Sequence, residues 1–187
     1  MKARRFRELL RQPGIVRAPG AFDAWSARLV ESAGFPAVYM TGYGASASVI
    51  GQPDIGLMTM TEMATHAKNM AVAVDIPLIA DGDTGYGGVL NVIRTVQEYE
   101  RAGIAAIQLE DQIFPKRCGH MEGKQLIPKE DMAAKIKAAV CARRSEDFVI
   151  IARTDARAVV GFEEAIHRAL AYADAGADVI LIEAPQT

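Results

Sequence analysis

Asp81 and Asp83 flank Gly82, Glu110 and Asp111 are adjacent, and a loop packing Lys116, Arg117, Cys118 and His120 into five positions follows. Carboxylates two apart on an extended backbone project to one side. With Glu110 one strand over they make an oxygen-rich setting suited to Mg²⁺, which takes one or two carboxylates together with water and substrate oxygens. Acids gathered this way repel one another without a cation. The competing structural use of Asp-Gly-Asp is an Asx turn. Cys118 lies among cations that favour the thiolate and bring a thiol toward the range where it gives or takes a proton. Free cysteines are usually small buried hydrophobes. That reading suits Cys141, on a helix, but a loop between Arg117 and Gly119 is a poor place to bury a side chain. Arg153 closes the apolar run FVIIART, where it can pair with the acids or hold a carboxylate in its guanidinium fork.

Strands must deliver these groups. Apolar runs at Ile15–Phe22, Ala37–Gly42, Pro77–Asp83, Ala105–Glu110, Phe148–Thr154 and Asp178–Glu183 alternate with helical patterns at 3–12, 23–30, 61–74, 89–101, 129–143 and 163–173. The short apolar run before Glu110 is the pattern of a strand buried on both faces of a parallel sheet. Ala33-Gly34, Ala102-Gly103 and Ala175-Gly176 each end a helix just before a strand, where glycine supplies a left-handed cap. Such alternation implies right-handed βαβ units. Thr41-Gly42-Tyr43, Asp81, Asp83, Glu110, Arg153 and Glu183 all fall at C-terminal strand ends, the end at which a barrel collects its site. No GxGxxG fingerprint of a doubly wound nucleotide fold is present. The expected fold is α/β, a TIM-type (β/α)8 barrel of which about six βα units are present: one domain over residues 1–187, truncated after the sixth strand. Its first and last strands are expected as open edges.

The 187 residues are 50% hydrophobic with a net charge of −2, enough for one buried core and a poor match to a large nucleic-acid footprint. No apolar run approaches the roughly 18 residues of a membrane span. The cationic opening MKARRFRELLR lacks the apolar region of a signal peptide. Two cysteines make no disulfide framework, so a cytoplasmic location is expected.

TGYG, QPDIG, DGDTGYG, LEDQ…PKRCGH followed by EGK, ARTDA and IEAP together resemble the isocitrate lyase/phosphoenolpyruvate mutase superfamily, over essentially the whole chain. Within it they look most like 2-methylisocitrate lyase and dimethylmalate lyase-type members. The resemblance implies Mg²⁺ (or Mn²⁺) at Asp81 and Asp83, with Glu110 reached through water. It implies substrate contacts at Thr41, Gly42, Tyr43, Cys118, Gly119, Arg153 and Glu183. It places Asp54 on a gating loop and makes Lys116 and His120 supporters of the thiol. The implied reaction is retro-aldol (Claisen-type) cleavage of a 2-hydroxy di- or tricarboxylate by a homo-oligomer, a tetramer in the family. Three alternatives stay open: a carboxyphosphonoenolpyruvate phosphonomutase-like activity, an oxaloacetate decarboxylase or hydrolase, and an inactive barrel fragment.

Overall fold

The computed structural model describes residues 1–185, so the last two positions of the expected 1–187 domain lie outside the described residues. Six strands, β1 (Gly20–Ala21), β2 (Val38–Met40), β3 (Leu78–Asp81), β4 (Ala106–Glu110), β5 (Val149–Thr154) and β6 (Val179–Ile182), form one parallel sheet. Their spatial order is their chain order. A doubly wound sheet reverses direction part-way, whereas adding every strand on the same side is the path of a barrel. The chain therefore makes six units of a (β/α) barrel, with β1 and β6 at the sheet's edges. All four residues of β6 are only half-buried, while β3, β4 and β5 are buried throughout.

Burial on both faces divides each strand between two cores. Val38, Met40, Leu78, Ala80, Ile107, Leu109, Ile150 and Ala152 pack outward. Over them lie α2 (Ala24–Ser32), α4 (Met60–Ala73), α5 (Val89–Arg101), α6 (Lys129–Ala142) and α8 (Phe162–Asp174). The alternate positions, Ala37, Ile79, Ala106, Val149 and Ile151, form an inner core closed from below by Phe6 of α1 (Lys2–Arg11). Arg7 of the same helix is tied to Asp178 at 2.9 Å, just before β6.

Helix ends follow local chemistry. The Asp23 carboxylate accepts from Ser26 N (2.7 Å) while Ser26 Oγ accepts from Asp23 N (3.1 Å), which starts α2 with a capping box. Gly34, Gly103 and Gly176 take positive φ of 81°, 81° and 101° just before strands, as expected from the Ala-Gly pairs.

Three segments differ from the sequence reading. Only Gly20–Ala21 of Ile15–Phe22 is strand. Pro19 has no N–H to donate to a ladder, and Val16 and Ala18 pack beneath the inner core instead. The TGYGAS segment coils into a short helix α3 (Gly42–Ala45), capped by Thr41 Oγ1 accepting from Gly44 N, and runs on into a π-helical turn, Ser46–Ile50. A further short helix, α7 (Ala156–Val159), follows β5. Among the described residues no helix is long and apolar enough to cross a membrane.

Candidate active site

The inner positions change character toward the C-terminal end of each strand. Ile79 gives way to Asp81, Ala106 to Gln108 and Glu110, Ile151 to Arg153, and Leu181 to Glu183. Period-two alternation thus turns the top of an apolar core into a ring of charge. Asp54, Thr41, Tyr43, Asp81, Cys118, Gly119, His120, Arg153 and Glu183 line one cavity of ≈ 310 Å³ there, joined by Tyr39, Gln108 and Leu181. A larger cavity, ≈ 460 Å³, lies between residues 56–61 and the start of α5, but no cluster of acids converges on it. Chemistry, not volume, marks the site.

Gly42, Asp83, Glu110 and Lys116 are absent from that lining, all buried. Gly42 N donates to Asp81 Oδ2 (3.3 Å), and a Cβ on Gly42 would sit 2.5 Å from that oxygen, so the glycine makes room for the carboxylate. Asp81 ends β3, and Asp83 follows at φ 47°, a left-handed conformation that Asp tolerates. The two acids therefore meet through a turn, in which Asp83 N donates to Asp81 Oδ1 (3.0 Å), and not through strand alternation. The Asx-type turn and the acidic cluster are the same feature. Tyr99 Oη braces it from below by donating to Asp81 O (3.0 Å).

Lys116 is ion-paired with Asp54 and lies 2.7 Å from Asp83 Oδ1. Burial disfavours its ammonium, but Asp83, Asp81, Glu110 and Asp54 outweigh that and hold it charged well above the usual lysine range. The partners seen for Lys116 are thus carboxylates, whereas the sequence reading made it a supporter of the thiol. Arg117 donates to Glu122 O at 3.2 Å. Cys118 is half-buried, His120 is exposed, and Cys141 is exposed instead of packed.

Burial, then the charge of Asp81, pushes the Asp83 carboxyl up to about 6 despite Lys116. Burial also drives Glu110 well above the carboxylate range, with Arg153 opposing and Asp81 adding to the rise. Glu110 Oε1 is buried without a hydrogen-bond partner among the described residues, and Oε2 lies 3.4 Å from Arg153 Nε. These oxygens fit a hard divalent cation held by one or two carboxylates and water. Among the described residues no three His, Cys, Asp or Glu side chains converge into a direct cage. A divalent ion here would have to be held by Asp81, Asp83 and Glu110 partly through water.

Arg153 makes a bidentate pair with Asp155, Nε to Oδ2 and Nη2 to Oδ1, both 3.0 Å, and lies 3.5 Å from Glu183. A Cβ on Gly119 would overlap both Glu183 and Arg153, so the loop passes close over them only because residue 119 has no side chain. Sequence reasoning missed Tyr39, Gln108 and Leu181, although each shares the strand parity of a predicted residue. It noted Asp111 only as the neighbour of Glu110. Alternation sends Asp111 outward, where it accepts from Thr154 Oγ1 (2.7 Å), Tyr172 Oη (2.7 Å) and Arg168 Nη1 (3.1 Å).

A family model described as phosphoenolpyruvate phosphomutase matches residues 6–187. The chain belongs to the isocitrate lyase/phosphoenolpyruvate mutase superfamily. Within this superfamily it is 57% identical over 184 residues to the 2,3-dimethylmalate lyase of Eubacterium barkeri, covering 98% of this chain and 64% of that protein. A solved structure of oxaloacetate acetylhydrolase in complex with the inhibitor 3,3-difluorooxalacetate superposes with a TM-score of 0.96 at 44% identity, covering 100% of this chain and 64% of the other. A complex of phosphonopyruvate hydrolase with oxalate and Mg²⁺ gives 0.91 at 40% identity, with the same coverages. The chain thus spans somewhat less than two thirds of these superfamily members.

Proposed function

We propose that this chain carries the catalytic core of a Mg²⁺-dependent carbon–carbon lyase. It would cleave a 2-hydroxy di- or tricarboxylate to a 2-oxoacid and a second carboxylate. The observation that carries the reading is that a thiol, Cys118, an arginine, Arg153, and the strand-end acid Asp81 line one cavity, with Asp83 and Glu110 directly behind it. The likeness to a dimethylmalate lyase and to a Mg²⁺-bound hydrolase supports both the reaction class and the ion. When bound beside Asp81, Asp83 and Glu110, Mg²⁺ supplies Lewis-acid polarisation of substrate oxygens and offsets negative charge as it develops.

The chain's own residues do the rest. Asp155 occupies Nε and Nη2 of Arg153, which leaves Nη1 to meet a substrate carboxylate. Asp54 lines the cavity with its carboxylate held by Lys116, placed to accept the substrate hydroxyl proton. As the C–C bond breaks, its electron pair passes to the departing carboxylate fragment, and the Cys118 thiol delivers a proton to that carbon. Solvent returns the thiol proton and removes the one on Asp54. Burial, then Asp81, keeps the Tyr39 phenol protonated, so it serves as a neutral donor in the wall. Thr41, Tyr43, Gly119, His120 and Glu183 complete the enclosure.

The likeness to oxaloacetate acetylhydrolase favours a second reading, hydrolysis of a 2-oxo dicarboxylate. Parallel assays with a 2-hydroxy dicarboxylate, oxaloacetate and phosphonopyruvate separate the two. Turnover of the hydroxy acid alone supports the lyase, and turnover of oxaloacetate alone would replace it with the hydrolase. We assign the working enzyme to a cytoplasmic homo-oligomer, for which light scattering at assay concentration is the check.

A further inference from the structure

Asp155 is fully buried and meets two cations at once, of which the reaction above uses only Arg153. Besides Arg153 it holds Lys124, whose Nζ lies 2.9 Å from Oδ1. Lys124 is itself buried, and the same ammonium donates to the carbonyl of Gly119, next to Cys118. The base of this clamp is rigid: Asp155 N donates to Asp111 Oδ1 at 3.0 Å, and Asp111 is anchored to α8 through Arg168 and Tyr172. Burial opposes the Asp155 charge, but Arg153 and then Lys124 overcome it and hold the carboxyl below its usual range. Buried ion pairs seldom add stability over apolar packing of the same shape. This one joins Asp155, the partner of a strand-end arginine, to a loop lysine 31 residues away in sequence.

We propose that Asp155 and Lys124 are positioning residues: together they fix the Cys118–Gly119 segment relative to Arg153, so that thiol and guanidinium address one substrate. Neither needs to touch that substrate. The catalytic half of the proposal rests on the lyase reading, whereas the positional half stands on geometry alone, and the experiment separates them.

Cys118 and Cys141 provide the measurement, because the second is exposed on α6 and serves as an internal reference. The full chain and its Lys124→Met, Lys124→Arg and Asp155→Asn variants are treated with iodoacetamide, and alkylation of each cysteine is followed by mass spectrometry. Release of Gly119 should raise the Cys118 to Cys141 rate ratio several-fold in Lys124→Met and Asp155→Asn. Lys124→Arg, which can still reach both oxygens, should restore most of the wild-type ratio. Turnover should fall in kcat on the order of 10²-fold with KM moving less, the cost of misplacing a reacting group by about 1 Å. An unchanged ratio in folded Lys124→Met would overturn the proposal. Should Asp155→Asn fail to fold, Lys124→Met still decides, since it leaves the Arg153–Asp155 pair in place. A raised ratio in the variants, with no hydroxy acid cleaved by the wild type, would keep the positioning role and remove the lyase.

Discussion

At the N-terminal end of the strands the barrel interior holds Ile79, Ala106 and Val149 above Phe6, and at the other end the same alternation holds Asp81, Glu110 and Arg153. Both ends are buried, but burial does opposite things to them. Below, apolar surface leaves water at a gain of about 25 cal/mol per Å². Above, burial raises the Asp83 and Glu110 carboxyls, so ionising them costs free energy that Lys116 and Arg153 return only in part and that a bound cation would return further. An acid packed at the lower end behaves differently. Asp178 is opposed by burial, yet hydrogen bonds from Arg7 and Ile150 N and the charge of Arg143 bring it below the usual carboxyl range. One end of the fold stores stability and the other gives some up to be ready for a ligand.

The sharpest way to break that contrast is to remove a donor at the upper end. Asp81→Ala should lower turnover on the order of 10³-fold, as expected where a cation contributes several kcal/mol to the barrier. It should also abolish the heat of Mg²⁺ binding in calorimetry. Retained Mg²⁺ heat would place the ion elsewhere. Glu110→Gln sharpens the contrast, because a neutral amide of the same shape carries no burial penalty for charge. Turnover should drop roughly 10–100-fold, while the melting temperature of cation-free protein stays level or rises. A clear fall in Tm would mean that Glu110 stabilises the fold.

How much of this was legible beforehand depended on the kind of segment. Strand ends were legible because parallel strands and αβ turns have short, repeated signals, and Asp81, Glu110, Arg153 and Glu183 follow from them. Parity should also have flagged Gln108 and Tyr39. The loop from Asp111 to Pro128 has no period, so nothing in its order tells whether Lys116 faces Cys118 or the acids. Only the folded chain shows that it meets Asp54 and Asp83. The turn at Asp83 was hidden in the same way, since Asp-Gly-Asp reads equally as extended chain or as turn.

At the lower end the effects belong to stability. Phe6→Ala should cost about 3–5 kcal/mol in denaturant unfolding, the usual cost of emptying an aromatic core site. The kcat of the still-folded fraction should barely move, and a loss of kcat matching that of Asp81→Ala would erase the distinction between the two ends. Asp178→Asn should cost less, of order 1–2 kcal/mol after allowing for partial exposure. Because its folded carboxyl is depressed, its contribution is complete above the ordinary value of 3.8 and is lost as pH falls from there through the folded-state value. The stability difference between wild type and Asp178→Asn should therefore shrink in acid. A constant difference from neutral pH down to acid would assign the effect to packing.

In the proposed reaction the upper end breaks a carbon–carbon bond and Cys118 protonates the fragment released. Its most direct test is ¹H NMR of a 2-hydroxy dicarboxylate incubated in D₂O with Mg²⁺ and the protein, either wild type or Cys118→Ser. The account predicts a 2-oxoacid together with a carboxylate carrying a single deuterium at the former bond carbon, and almost no product from Cys118→Ser. Equal product from both proteins, or undiminished product in the presence of a chelator, would contradict it.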